Sequence, residues 1–398
     1  MKRLVLIALL VACRKSADEP RPAPKPIEAP ATAPATAPAA PPATATTTGA
    51  PPATPAAPAM IAGVAPAPGD YTIRDFAFTG GEKLPELRIH FMVLGTARRD
   101  AQGHVTNAVI VLHGTTGSGQ QFARKQFADE LFGPGQPLDL NKYYVILPDD
   151  IGHGASSKPS DGLHAKFPHY GYNDMVEAEH ALVVDGLKID HLRLVMGTSM
   201  GCMHAWMWAE KWPGMMDAVM PLACLPNQIA GRNRQWRKMV IDAIQQDPEW
   251  NSGEYTRQPR GAMLEASHML TLAGSAPLPD QKRLATRDAA DAAVEKSEAE
   301  FVSTHDANDV LYAVAASRDY DPSPDLEKIT APLLFVNSAD DFINPPELGI
   351  AEREIKRVKR GKFLLIPASE QTHGHGTHTW GVFWKKDLQQ LLDSTAKK

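Results

Sequence analysis

From residue 70 onward, short apolar runs alternate with stretches of helical composition, and this alternation predicts the elements of the chain. Residues 71–78 and 87–94 alternate apolar with polar positions. Gly80, Gly81 and Pro85 lie between them, which predicts an antiparallel hairpin at a sheet edge. Residues 108–112 are continuously apolar, as a strand covered on both faces should be. Further strands are expected at 143–147, 192–196, 218–222, 332–337 and 362–366, with helices at 174–187 and 202–211 between them. The repeat predicts an α/β fold with a mostly parallel, doubly wound sheet. Residues 225–317 interrupt it with helical segments rich in Arg, Gln, Met and Ala, carrying Trp236 and Trp250 and no clear strand.

The first 68 residues follow another pattern. Lys2 and Arg3 precede the apolar run 4–12, which is too short for a permanent membrane span and reads as a secretory signal. Leu10-Val11-Ala12-Cys13 resembles a bacterial lipobox. That resemblance implies cleavage after residue 12, acylation of Cys13 and anchoring to a membrane. The absence of an aspartate after Cys13 points to the outer membrane. Residues 13–68 are dominated by Pro, Ala and Thr without an apolar face. They predict a disordered tether, able to reach on the order of 100 Å if extended. The expected organisation is therefore a signal at 1–12, a tether at 13–68 and a folded domain at 69–398.

Charge and cysteine content narrow the options. A net charge of -5 provides no basic footprint for nucleic acid. Only Cys202 and Cys224 lie in the folded part, so this is no disulfide scaffold. Two buried free thiols are the expectation, with a single bridge as the alternative.

The candidate chemistry lies at predicted strand ends. Gly197-Thr198-Ser199-Met200-Gly201 is a G-x-S-x-G turn between a strand and a helix, the pattern of a nucleophile elbow. Small residues flank Ser199 because the turn is tight, and the helix that follows points its free N–H groups towards a developing oxyanion. A Gly-rich segment, His113-Gly114-Thr115-Thr116-Gly117, follows the 108–112 strand. After the 143–147 strand comes a loop holding His153, for which a structural role is expected. Asp340 and Asp341 follow the 332–337 strand. Asp341 is preferred as the acid that orients a histidine, because it has Pro345 four residues on. The segment 371–378 must supply the base; His375, between two glycines, leads over His373 and His378. The same cluster, His373-x-His375-x-x-His378, resembles a zinc sequence but has no clear carboxylate or cysteine partner motif, and no metal is expected.

The order Ser199, Asp341, His375 is that of the α/β-hydrolases. Over most of residues 70–390 the chain resembles their homoserine O-acetyltransferase branch. The motifs carrying this are Gly135-Gln136-Pro137-Leu138-Asp139, Asp174-Met175-Val176, Ser199-Met200-Gly201-x-Met203 and Asp247-Pro248-x-Trp250 with Gly253 and Tyr255. Asp306-Ala307-Asn308 and Asp341 with Pro345-Pro346 extend the likeness. The resemblance implies an α/β-hydrolase fold with a helical cap at about 225–317, and oxyanion donors at the amides of Met200 and Thr115. It also implies Arg237 as a substrate-carboxylate ligand, no cofactor, and allows a homodimer through the cap. Gly376 departs from the family's pattern, which has an aspartate after the catalytic histidine to hold the substrate amine. Three functions follow as expectations. The first is an exported serine hydrolase of esterase type, acting through an acyl-enzyme on a small-molecule ester or other acyl substrate. The second is an O-acyltransferase with the same chemistry, and the third a non-enzymatic surface protein on this scaffold.

Overall fold

A computed structural model describes residues 63–396. The signal, the Cys13 lipidation site and nearly all of the expected tether lie outside the described residues. Eight strands form one sheet: β1 (Ala67–Ala77), β2 (Lys83–Leu94), β3 (Ala108–Leu112), β4 (Tyr144–Pro148), β5 (Leu194–Thr198), β6 (Val219–Leu222), β7 (Leu333–Ser338) and β8 (Gly361–Ile366). Their spatial order is β1-β2-β4-β3-β5-β6-β7-β8. The β1–β2 hairpin is antiparallel, β2 meets β4 antiparallel, and every later pairing is parallel. The hairpin ladder reaches back to Ala67, opposite Val93, so β1 takes in the last residues of the expected tether.

The helices are α1 (Lys125–Leu131), α2 (Tyr172–Ala181), α3 (Met200–Lys211), α4 (Gly231–Gln246), α5 (Arg260–Gly274), α6 (Pro277–Arg283), α7 (Arg287–Thr304), α8 (Ala307–Ala315), α9 (Ile350–Glu354) and α10 (Lys385–Ser394). Helices α4 to α8 fill the 225–317 insertion. The expected helix 174–187 is shorter than its pattern. Past Ala181 the chain widens into a π turn, Leu182–Gly186, where the Leu187 amide reaches back to Leu182 O. Gly186 closes against the ring of Tyr71, where a Cβ would come within 2.9 Å of ring carbon.

Residues of β3 explain its unbroken apolar run. Ile110 and Leu112 pack into a core containing Trp206, Trp208 and Tyr172, while Val109 and Val111 pack with Phe127, Phe132 and Trp384 on the other face. Burial on both faces leaves no position for a polar residue. Strand order reverses around β3, whose neighbours are β4 and β5, and at such a switch point the loops splay apart to leave a crevice at the strands' carboxyl ends. Leu112 lies opposite Gly197 there, which sets the loop after β3 beside the serine turn.

The expectation of two free thiols is corrected: Cys202 and Cys224 are disulfide-bonded, with Cα atoms 5.9 Å apart. Thr198 pairs with Leu222, so the first turn of α3 stands beside the chain leaving β6. That neighbourhood comes from sheet topology, and a separation of 22 residues does not announce it.

Candidate active site

Ser199 sits between β5 and α3 with φ 55° and ψ -108°, a conformation costly for any residue with a Cβ. The surrounding contacts impose it. Its amide donates to Leu222 O at 2.9 Å. A Cβ on Gly197 would fall 1.9 Å from Gly201 O, and one on Gly201 2.2 Å from Leu112 O. Both glycines of G-x-S-x-G are thus required by backbone approach.

The loops after β7 and β8 bring the other two side chains to the serine. His375 Nε2 is 2.8 Å from Ser199 Oγ, and His375 Nδ1 is 2.9 Å from Asp341 Oδ2. Asp341 is fully buried, and its Oδ1 accepts the Ile343 and Asn344 amides at 2.7 and 3.2 Å. Asn344 Nδ2 adds a bond to Oδ2 at 3.0 Å and another to Ala223 O at 3.1 Å. Burial alone would raise the Asp341 pKa. The charge and hydrogen bond of His375, with bonds from Asn344 and the Ile343 amide, outweigh it and hold the carboxyl below its ordinary value.

Asp340 has a separate task. Its Oδ2 accepts from Thr372 Oγ1 at 2.7 Å and from the Gly374 amide at 3.2 Å, which ties the histidine loop to the end of β7. His373 stacks on Trp380, ring centres 3.9 Å apart. His378 Nδ1 bonds the carbonyl of His375, and burial lowers its pKa to about 3, so it is neutral. The three histidines therefore face three different partners and do not converge as ligands.

The amides of Met200 and Thr115 have no acceptor among the described residues. Gln121 bridges their two loops, with Nε2 on Thr198 Oγ1 at 2.9 Å and Oε1 accepting the Gly114 amide at 3.3 Å. Arg237 on α4 is 2 % exposed, lies over the Trp236 ring at 4.6 Å and donates from Nε to Asn233 Oδ1 at 3.0 Å. Its Nη1, Thr115 Oγ1 and the Tyr172 hydroxyl are all buried, and none makes a hydrogen bond of good geometry among the described residues. Burial raises the Tyr172 pKa, and the adjacent Arg237 and Thr115 oppose that rise, so the three groups are neighbours. Tyr172 was not evident from the sequence; its one signal was proximity to the Asp174-Met175-Val176 motif.

His153 is buried, with Nδ1 on Ile151 O at 2.9 Å, which is a structural placement. Behind it Asp150, Glu179 and His204 form a buried group whose potential ligand atoms all lie within 4.8 Å of one another. His204 Nδ1 and Trp208 Nε1 already engage Glu179 at 2.7 and 2.6 Å. Two cavities flank the serine loops. One of 390 Å³ lies between Thr116, Gln121, His305 and Asp309; the other, of 630 Å³, is lined by Met203, Leu225, Ile229, Asp341 and Ile343.

Homoserine O-succinyltransferase of Magnetococcus marinus is 30% identical over 297 residues, covering 65% of this chain and 74% of that protein. Homoserine O-acetyltransferase of Geotalea daltonii is 28% identical over 337 residues, covering 76% and 90%. Among solved structures, an acetylester hydrolase from Corynebacterium glutamicum superposes with a TM-score of 0.73 at 18% identity, covering 82% of this chain and 96% of that one. The acyltransferase relatives and the fold are consistent with a hydrolase or acyltransferase enzyme. The model of the alpha/beta hydrolase fold family matches residues 107–370, from the start of β3 to the loop just short of His375, and by that match the chain belongs to the α/β-hydrolase fold family.

Proposed function

We propose that this protein is an exported, lipid-anchored serine esterase. Ser199 Oγ attacks the acyl carbonyl of a small ester while His375 Nε2 takes its proton. The amides of Met200 and Thr115 hold the oxyanion, and Asp341 orients His375 and stabilises its cationic form. The C–O bond to the alcohol then breaks, with His375 returning the proton to the leaving oxygen. Water, activated by the same histidine, releases the acid and regenerates Ser199. No step calls on a metal or an organic cofactor.

The observation carrying this reading is the unbroken chain Ser199 Oγ, His375, Asp341, with both hydrogen bonds at 2.8–2.9 Å. Gly376 favours water as acceptor, since it offers no carboxylate for a substrate amine. Nothing steric demands glycine there, because a Cβ would meet only His373 Cβ at 3.7 Å. The Cys202–Cys224 bond supports export, as disulfides persist in oxidising compartments. Cys13 is the proposed acylation site, and the lipobox-like leader without a following aspartate supports anchoring to the outer membrane. Exposed Met239, Leu272 and Leu278 on the cap helices are apolar surface that a homodimer through the cap would cover.

A second reading, O-acyl transfer to an amino-acid alcohol, is favoured by one observation. Buried Arg237 presents an Nη1 without a well-formed hydrogen bond near the Tyr172 hydroxyl, as a carboxylate-bearing acceptor would require. Release of p-nitrophenol from p-nitrophenyl acetate, with and without homoserine or glycerol, separates the two. The esterase reading expects acetate as product whichever acceptor is present. O-acetylhomoserine as the main product would establish transfer.

A further inference from the structure

We infer that His113 is a positioning residue, which aims the Thr115 amide at the oxyanion by gripping the other side of the Gly114–Thr115 peptide. The inference rests on the acyl-enzyme reading above. In a trans peptide the C=O of Gly114 and the N–H of Thr115 share one plane and point opposite ways. Whatever holds the carbonyl therefore aims the amide. Two donors hold it, His113 Nδ1 at 2.9 Å and the Gly117 amide at 2.9 Å.

The ring is locked in the tautomer this needs. The Asp150 backbone amide can only donate, and it approaches His113 Nε2 at 3.0 Å, so Nε2 accepts and the ring proton sits on Nδ1. His113 also receives the Gly201 amide on its own carbonyl at 2.8 Å, which couples the same residue to the first turn of α3. One fully buried histidine thus touches both loops that supply the proposed oxyanion donors.

The groups around the ring preserve this arrangement. Asp150 Oδ2 is 3.6 Å from His113 Nε2 and 3.6 Å from His204 Nδ1, Glu179 lies beyond, and the His153 ring centre is 5.1 Å away. An ionised Asp150 would draw a proton onto Nε2 and expel the amide. Burial and the neighbouring Glu179 push the Asp150 carboxyl well above the ordinary carboxylate range, which opposes that ionisation.

The test compares His113→Ala, His113→Asn and His113→Gln in the full chain, with p-nitrophenyl acetate as substrate and thermal melts to confirm folding. Asparagine places its amide N–H where Nδ1 was, whereas glutamine reaches the Nε2 position. We expect His113→Ala to lower kcat about 30-fold with KM within about twofold, part of the loss seen when an oxyanion donor is removed outright. His113→Asn should recover most of it and His113→Gln little. Equal behaviour of the Asn and Gln variants, or an undiminished kcat in a folded His113→Ala, would overturn the inference while leaving the esterase reading intact. Wild type that is as inert as Ser199→Ala would contradict that reading and remove this inference with it. Should the variants not fold, ring ¹⁵N shifts of the wild-type protein decide. A protonated Nδ1 with bare Nε2 supports the inference, and the opposite tautomer or an imidazolium at pH 7 contradicts it.

Discussion

Asp340 and Asp341 are adjacent in the chain and serve opposite sides of one histidine. Asp341 Oδ2 meets the ring of His375 at 2.9 Å, while Asp340 Oδ2 holds Thr372 and the Gly374 amide in the loop that carries that ring. One orients the imidazole directly, and the other orients the backbone beneath it.

This division of labour predicts unequal effects. Asp341→Asn should lower kcat about 10⁴-fold with KM little changed, because the amide stabilises the wrong imidazole tautomer. Asp340→Asn keeps one acceptor and should cost about tenfold. Steady-state kinetics of both variants check this, and similar losses would assign the orienting role to both acids.

Gly376→Asp should move the enzyme towards acyl transfer. A Cβ at this position would meet only His373 Cβ at 3.7 Å, and the new carboxylate would pair with an acceptor's amine. We expect O-acetylhomoserine formation to rise at least tenfold relative to hydrolysis, read by product analysis with p-nitrophenyl acetate and homoserine.

The Cys202–Cys224 bond closes a short loop that includes β6 and most of α3. Replacing both cysteines by alanine should cost about 3 kcal/mol of stability, on the chain-entropy relation for a loop of this length. Thermal melts should show a fall of about 5 °C in Tm. Dithiothreitol should reproduce the loss in wild type and leave the double variant unaffected.

Glu210, near the end of α3, illustrates how burial sets pH dependence. Burial and then Asp325 raise its pKa to about 9. The folded state therefore keeps a proton on Glu210 that the unfolded chain releases near 4.5. Stability from this group is complete below about pH 4.5 and falls as pH rises towards 9. Glu210→Gln removes the penalty. Solvent reaches part of the side chain, so a gain of about 2 kcal/mol at pH 8 and none at pH 4.5 is expected. Denaturant melts at the two pH values check the sign.

What could be read in advance followed from local rules. The β3 run, the elbow glycines and the strand-helix alternation are written in short windows, because burial on both faces and a tight turn constrain neighbouring residues. Ser199, Asp341 and His375 were readable as types at strand ends; their 2.8–2.9 Å contacts are products of the sheet order. The disulfide, the Asp340 anchor and the Tyr172–Arg237–Thr115 grouping were not legible. Each joins segments whose proximity is decided by the switch at β3 or by the placing of the cap. Arg237 was identifiable only by resemblance, since nothing in the composition of α4 marks a buried, half-satisfied guanidinium.

The most direct test of the account is to trap the acyl-enzyme. Rapid acid quench of the wild-type protein with p-nitrophenyl acetate, followed by peptide mass spectrometry, should show a 42 Da acetyl adduct on Ser199, expected from the mass of an acetyl group replacing a hydrogen. The adduct should be absent from Ser199→Ala. Turnover that persists in Ser199→Ala, or an acetyl group found on another residue in its place, would contradict the central claim.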